Sequence, residues 1–145
     1  MTNSGVPKTR PSAYTLRLAP VLLVVAAAAA FIYLAEADGP HVARNLLPLL
    51  VCVALFAYAL HRNSGHWLRV DRRWTLASVG FAIPAVGLSL YLHASWLYDI
   101  DGIASGAESP DLLFRFLPYY TAVAGSIGFA IGWIIGKNVP PGNMN

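Results

Sequence analysis

The chain has 145 residues, of which 57% are hydrophobic and only 12% charged, with a formal net charge of +3. An ordinary soluble domain carries about 25% charged residues, and a soluble surface made from this composition would expose large apolar patches. The composition therefore excludes a freestanding soluble domain and points to one small membrane-embedded unit.

Residues 1–13 hold Gly, Ser, Thr and Pro with few apolar groups, which predicts a flexible tail. An uncharged run follows at 18–35, and a helix is predicted over about 14–37. Pro20 is placed in its first turn, where a missing N–H costs nothing. The alanine run at 26–30 gives this helix a smooth surface, and Asp38-Gly39-Pro40 reads as the turn that ends it. Lys8, Arg10 and Arg17 before the run, and Ala35-Glu36-Ala37 after it, also resemble a cleaved signal peptide. The run exceeds the ~7–15 residues of a typical signal core, which favours a signal-anchor helix.

The second helix, predicted over 43–61, is short, with 17 residues between Arg44 and Arg62. Snorkelling arginines extend its effective span. The third, predicted over 74–98, has 25 uncharged residues and must tilt or bend, with Pro84 as the expected kink. An acidic, turn-rich loop follows. Its 112–117 portion is expected to lie along the membrane interface. The fourth helix is predicted over 116–136, with Pro118 near its start, Tyr119 and Tyr120 at one boundary and Trp133 at the other. Residues 138–145 read as a second flexible tail.

An uncharged run of ~18 or more residues matches a bilayer core ~30 Å thick. The expected fold is an all-α integral membrane bundle of four transmembrane helices, 14–137, in an up-down arrangement. Eight of the ten Lys and Arg residues (Lys8, Arg10, Arg17, Arg62, Arg69, Arg72, Arg73, Lys137) fall on one side. Arg44 and Arg115 share the other with Glu36, Asp38, Asp99, Asp101, Glu108 and Asp111. The positive-inside rule then predicts a multi-pass protein of the cytoplasmic (inner) membrane with both termini cytoplasmic.

The sharpest motif is on the fourth helix. Ala124, Gly128, Gly132 and Gly136 recur every four residues, with Gly125 adjacent. Such a ridge lets helix backbones touch in lipid, where packing rather than the hydrophobic effect drives association. It serves either packing against the first or third helix or an oligomer interface. The opposite face, Phe129, Ile131, Trp133 and Ile134, suits lipid.

A second stripe runs along the third helix: Ser78, Ala82, Ala85, Ser89 and His93. Buried ionisable groups in membranes face protein or water. His93 is read as hydrogen-bonded to a neighbouring carbonyl, or alternatively as part of a pore, ligand or proton path. A haem would need two histidines at similar depth, and His41, His61 and His66 offer no partner for His93 across the bilayer centre.

Asp99-x-Asp101 resembles the start of a calcium loop, but the later ligands are out of register. A solvated acidic loop explains Asp99, Asp101, Glu108 and Asp111, and a weak divalent site with His41 or His93 is the alternative. Trp67, Arg69, Arg72, Arg73 and Trp74 mix basic and aromatic groups, and beside a membrane they read as a headgroup anchor rather than a nucleic-acid surface. Cys52 is alone and forms no intrachain disulfide or metal framework. No nucleophile–base or paired-carboxylate arrangement is evident.

The expected function is therefore non-enzymatic, without cofactor or metal: a subunit that self-associates or joins other membrane subunits through the ridge on the fourth helix. The partners are membrane lipids and further copies or other subunits, with no nucleic acid. An oligomeric channel or pore lined by the 78–93 stripe is the first alternative, and a haem- or redox-associated subunit the second.

Overall fold

The structure is a computed structural model, and it describes residues 11–36, 41–68, 71–106 and 110–139. All five α-helices described are strung in chain order with one short 3-10 turn and no strand among the described residues. Four segments are long and apolar enough to cross a membrane: Ala13–Ala35, Val42–Arg62, Arg72–Leu97 and Leu113–Asn138. This is the pattern of a multi-pass membrane protein.

Helix α1 is Pro11–Ala35. Proline is pre-organised for a first helical position, so the helix opens earlier than expected and Pro20 lies well inside it rather than in its first turn. The rest of the expected tail, 1–10, lies outside the described residues, as does the Asp38-Gly39-Pro40 turn.

Helix α2 is a single turn, Val42–Asn45, and α3 is Leu47–Arg62. The step between them has a local cause: Pro48 has no N–H to donate to the Arg44 carbonyl. Helix α4, Arg72–Leu97, is capped by Asp71, whose side chain accepts from the Arg73 amide at 3.1 Å. It continues through Pro84.

Helix α5 is Pro110–Asn138. It starts six residues before the expected 116, and the 112–117 portion belongs to its first turns. Phe114 and Leu117 are buried, and Phe114 packs edge-on against Trp96 at 5.5 Å. That contact stabilises the added turns despite Arg115 and the internal Pro118. The expected tail beyond 139 lies outside the described residues.

Helix α4 is the hub, packing against α1, α3 and α5. One small core joins α1 to α3 through Ala28, Ile32 and Leu49. Another joins α3 to α4 through Cys52, Phe81 and Ala85. The two ends of the bundle differ chemically. One is built by the end of α1, α2, and the last turns of α4 (the α2 end). The other is built by the 63–71 connection.

Candidate functional site

The glycine ridge of α5 closes on α4, and the two helices run antiparallel along it. A Cβ at Gly128 would lie 1.9 Å from the Gly80 carbonyl oxygen, and one at Gly132 would lie 2.2 Å from the Leu76 oxygen. One at Gly136 would lie 2.6 Å from Arg73 Cα, and one at Gly125 would meet the Phe81 ring at 2.7 Å. Backbone therefore meets backbone along the seam, and only glycine fits. Gly80, which sequence reasoning overlooked, is the reciprocal partner: its own Cβ would lie 2.1 Å from the Gly128 oxygen. Ala124, the first residue of the predicted ridge, is only half-buried at the far end of this seam.

The α4 stripe faces protein. Ser78, Ala85, Ser89 and His93 are buried and Ala82 is half-buried. Ser78 Oγ donates to the Trp74 carbonyl at 2.7 Å, as a helical serine does when no other partner is present. Ala85 sits in the core with Cys52 and Phe81.

At the α2 end the stripe meets three residues from other elements. His93 Nδ1 lies 2.7 Å from the Ser89 carbonyl, and its Nε2 lies 3.4 Å from Glu36 Oε2. Asn45 Nδ2 donates to the same Oε2 at 2.8 Å. The Phe114 ring covers the imidazole at 5.0 Å. All three polar side chains are buried, with His93 at 0% exposure, Asn45 at 1% and Glu36 at 7%. Glu36 Oε1, Asn45 Oδ1 and Ser89 Oγ have no hydrogen-bond partner among the described residues. Beside them, Arg44 Nη2 and His41 Nδ1 lie 2.9 Å apart.

Glu36 was expected at the outward end of the first helix, on the side that carries most of the acids. The structure instead buries it, because the turn continuing α1 carries it back over the end of α4. No sequence signal marks this: an acid at a helix end, just before a Gly-Pro turn, reads as facing water. Both ring nitrogens of His93 lie against oxygen atoms of the protein. Asp99 Oδ1 accepts from the Ala104 and Ser105 amides at 2.8 and 3.0 Å. These bonds hold the Asp99 carboxyl below its ordinary range. No group of three or more metal-binding side chains occurs among the described residues. Glu108 and the Asp111 side chain lie outside them.

The 63–71 end is organised by Asn63, which is fully buried. Its Nδ2 donates to the carbonyls of Trp67 at 3.2 Å and Asp71 at 3.0 Å and to Thr75 Oγ1 at 3.3 Å. Its Oδ1 accepts from the Asp71 amide at 2.6 Å. Thr75 Oγ1 also donates to the Trp67 carbonyl. Gly65, with φ of +85°, carries a carbonyl that accepts from Arg17 of α1.

The predicted headgroup anchor divides here. Trp67 packs on Phe56 at 5.8 Å, and Trp74 packs on Tyr58 at 4.5 Å and Trp133 at 4.8 Å. Trp74 ties α4 to α3 and α5, and Trp67 ties the connection to α3. Arg73 pairs with Asp71 at 2.9 Å and lies over the Trp133 ring. Arg72 donates to the Leu68 carbonyl at 3.3 Å, and Arg69 lies outside the described residues. The Arg73 guanidinium holds the Asp71 carboxyl below its ordinary range.

No protein-family model, no curated protein and no solved structure matches the chain.

Proposed function

We propose that this chain is a non-enzymatic subunit of the cytoplasmic membrane that works by assembling with a second copy of itself. Other membrane subunits are the alternative partners. Both the segment before 18 and the segment after 136 lie on the cytoplasmic side in this reading, as the eight-to-two cation bias favours.

The ridge first expected to form the interface is occupied by α4, so the assembling surface moves to α1. One observation carries this. Ala26, Ala27 and Ala30 are exposed on α1, flanked by Leu23 at 72% and Leu34 at 71% exposure. The 23, 27, 30, 34 spacing keeps them on one helical face. An alanine patch framed by leucines is self-complementary about a two-fold axis: two such helices approach closely and each leucine fills the gap over the other's alanines.

Oxidative cross-linking in membranes, on a Cys52→Ser background, tests the interface. Ala30→Cys is expected to yield a disulfide dimer, and Ile134→Cys, on the outward face of α5, is not. Equal cross-linking at both sites, or a monomer by native mass spectrometry from gentle detergent, would refute the reading. The orientation predicts that Ser64→Cys is labelled from the cytoplasm and Ser105→Cys from outside. Labelling of both from one side would sink it.

A further inference from the structure

The α2 end has a hydrogen-bond pattern that needs one extra proton to close. The Ser89 carbonyl only accepts, so His93 Nδ1, 2.7 Å away, carries a hydrogen. In a neutral ring Nε2 then presents a lone pair. That lone pair faces Glu36 Oε2 at 3.4 Å. An ionised carboxylate also only accepts. Without a further proton, two acceptors would oppose each other where burial removes water from both, and low local dielectric makes such an arrangement costly.

We propose that Glu36 and His93 together bind one shared proton, making this end of the bundle a proton-binding site. The proton sits on Nε2, giving an imidazolium beside a carboxylate, or on Oε2, giving a carboxylic acid that donates to a neutral imidazole. Both forms carry the same net charge of zero. Asn45 donates to Oε2 and so fixes the rotation of the carboxyl, which directs this oxygen at the ring. Loss of the proton leaves a buried negative charge and opposed lone pairs.

Among the described side chains, the other charged groups near this end are engaged differently. From α2, His41 and Arg44 bond to each other. From α5, the Arg115 guanidinium lies over the Phe116 ring. Beyond α4, Asp99 binds backbone amides and Asp101 is exposed. Among the described residues, Glu36 is the carboxylate that faces the imidazole.

The site also couples two helices. Glu36 follows α1 and His93 belongs to α4. Among the described residues, Ala28 and Ile32 are also buried on α1, and at its far end Arg17 donates to the Gly65 carbonyl. The proton therefore strengthens the attachment of this end of α1 to the hub helix. This inference does not depend on whether the chain assembles.

The test is solid-state NMR of the full-length protein in lipid bilayers, with ¹⁵N-histidine and ¹³C-glutamate labels. Glu36 and Glu108 are the only glutamates in the chain, so Glu108→Gln assigns the carboxyl signals. At about pH 7 the expected spectrum has either a doubly protonated His93 ring with ionised Glu36 or a neutral ring with protonated Glu36. A bare Nε2 together with an ionised Glu36 would overturn the proposal. Glu36→Gln keeps a donor toward the ring and removes the acid. In that variant the His93 ring is expected to carry hydrogen on Nδ1 alone at about pH 7. A doubly protonated His93 ring in the Glu36→Gln variant would also overturn it. If the variant does not fold, the parent spectrum decides alone.

Discussion

Gly128→Ala tests the seam that holds α4 to α5. The added Cβ would lie 1.9 Å from the Gly80 carbonyl oxygen, and ordinary contact begins at 3.4 Å, so the backbones must part locally by about 3.4 − 1.9 = 1.5 Å. The obstructing atom is helical backbone, which cannot rotate aside as a side chain can. Pro84 Cγ, at 2.8 Å from the same Cβ, closes another direction of escape. Overpacking costs about 1–3 kcal/mol, and a clash with rigid backbone belongs at the upper end, about 3 kcal/mol. Gly87→Ala is the internal control on the same hub helix, because its Cβ would meet nothing within 4 Å. It should be neutral or stabilising by about 0.5–1 kcal/mol, from reduced freedom of the unfolded chain. The assay is reversible unfolding in mixed micelles by a denaturing detergent. Tryptophan fluorescence follows it, since Trp74 and Trp133 meet across the seam at 4.8 Å. Equal stability of Gly128→Ala and the parent, or equal damage from Gly87→Ala, would refute the seam. Gly132→Leu should be worse than Gly128→Ala, because a larger side chain starts from a Cβ 2.2 Å from the Leu76 oxygen.

Two further predictions concern the 63–71 end. Asn63→Ala should destabilise by about 2–3 kcal/mol by leaving buried carbonyls and an amide unsatisfied, and Asn63→Asp should not rescue it, because an ionised carboxylate cannot donate to the Trp67 and Asp71 carbonyls. A fully stable Asn63→Asp by the same unfolding assay would show that the donated bonds do not matter. Asp71→Ala should cost about 1 kcal/mol as a lost helix cap. Because Arg73 lowers the Asp71 carboxyl in the folded state, this contribution is present above the ordinary carboxylate value, about 4. It is lost as pH falls through the lower folded value. Parent and Asp71→Ala stabilities should therefore converge on acidification below about pH 4, and a constant gap across that range would remove Asp71 from the account.

The spans were legible because length without charge is a one-dimensional property. The 18–35 and 74–98 runs need no partner to be recognised. The ridge on α5 was legible too, since its glycines repeat at helical spacing, but its partner was not. Gly80 stands alone in an uncharged run, and its role exists only once Gly128 is placed against it. The same limit hid Glu36, Asn45 and Asn63. Each is one polar residue beside a turn, the commonest address for a solvated group. What makes them unusual is burial by helices distant in sequence: Glu36 meets His93 across 57 positions. The early start of α5 was obscured by Asp111 and Arg115, whose charges read as loop. The packing of Phe114 on Trp96 outweighs them, and that contact too is long-range.

The two kinds of contact around α4 divide the bundle mechanically. Toward α5, glycine lets backbone lie on backbone from Gly128 to Gly136, about two turns, and such a seam has one geometry in which it fits. Toward α1, the apolar contact is the small cluster of Ala28 and Ile32 with Val25, Ala29, Val86 and Leu90 around it, and the polar contact is Glu36 with His93. Few apolar contacts and many exposed residues mark the lower end of local stability. Polar contacts in an apolar surround are all-or-none, because a half-satisfied group costs more than it contributes. A rigid α4–α5 hairpin with α1 fastened by polar contacts is thus a two-part device. The alanine face proposed for assembly lies on the part held least tightly. The proton proposed at Glu36 and His93 sits at the fastening. Any change in proton occupancy would then act on the position of α1, and through it on the face that α1 offers, while leaving the glycine seam undisturbed.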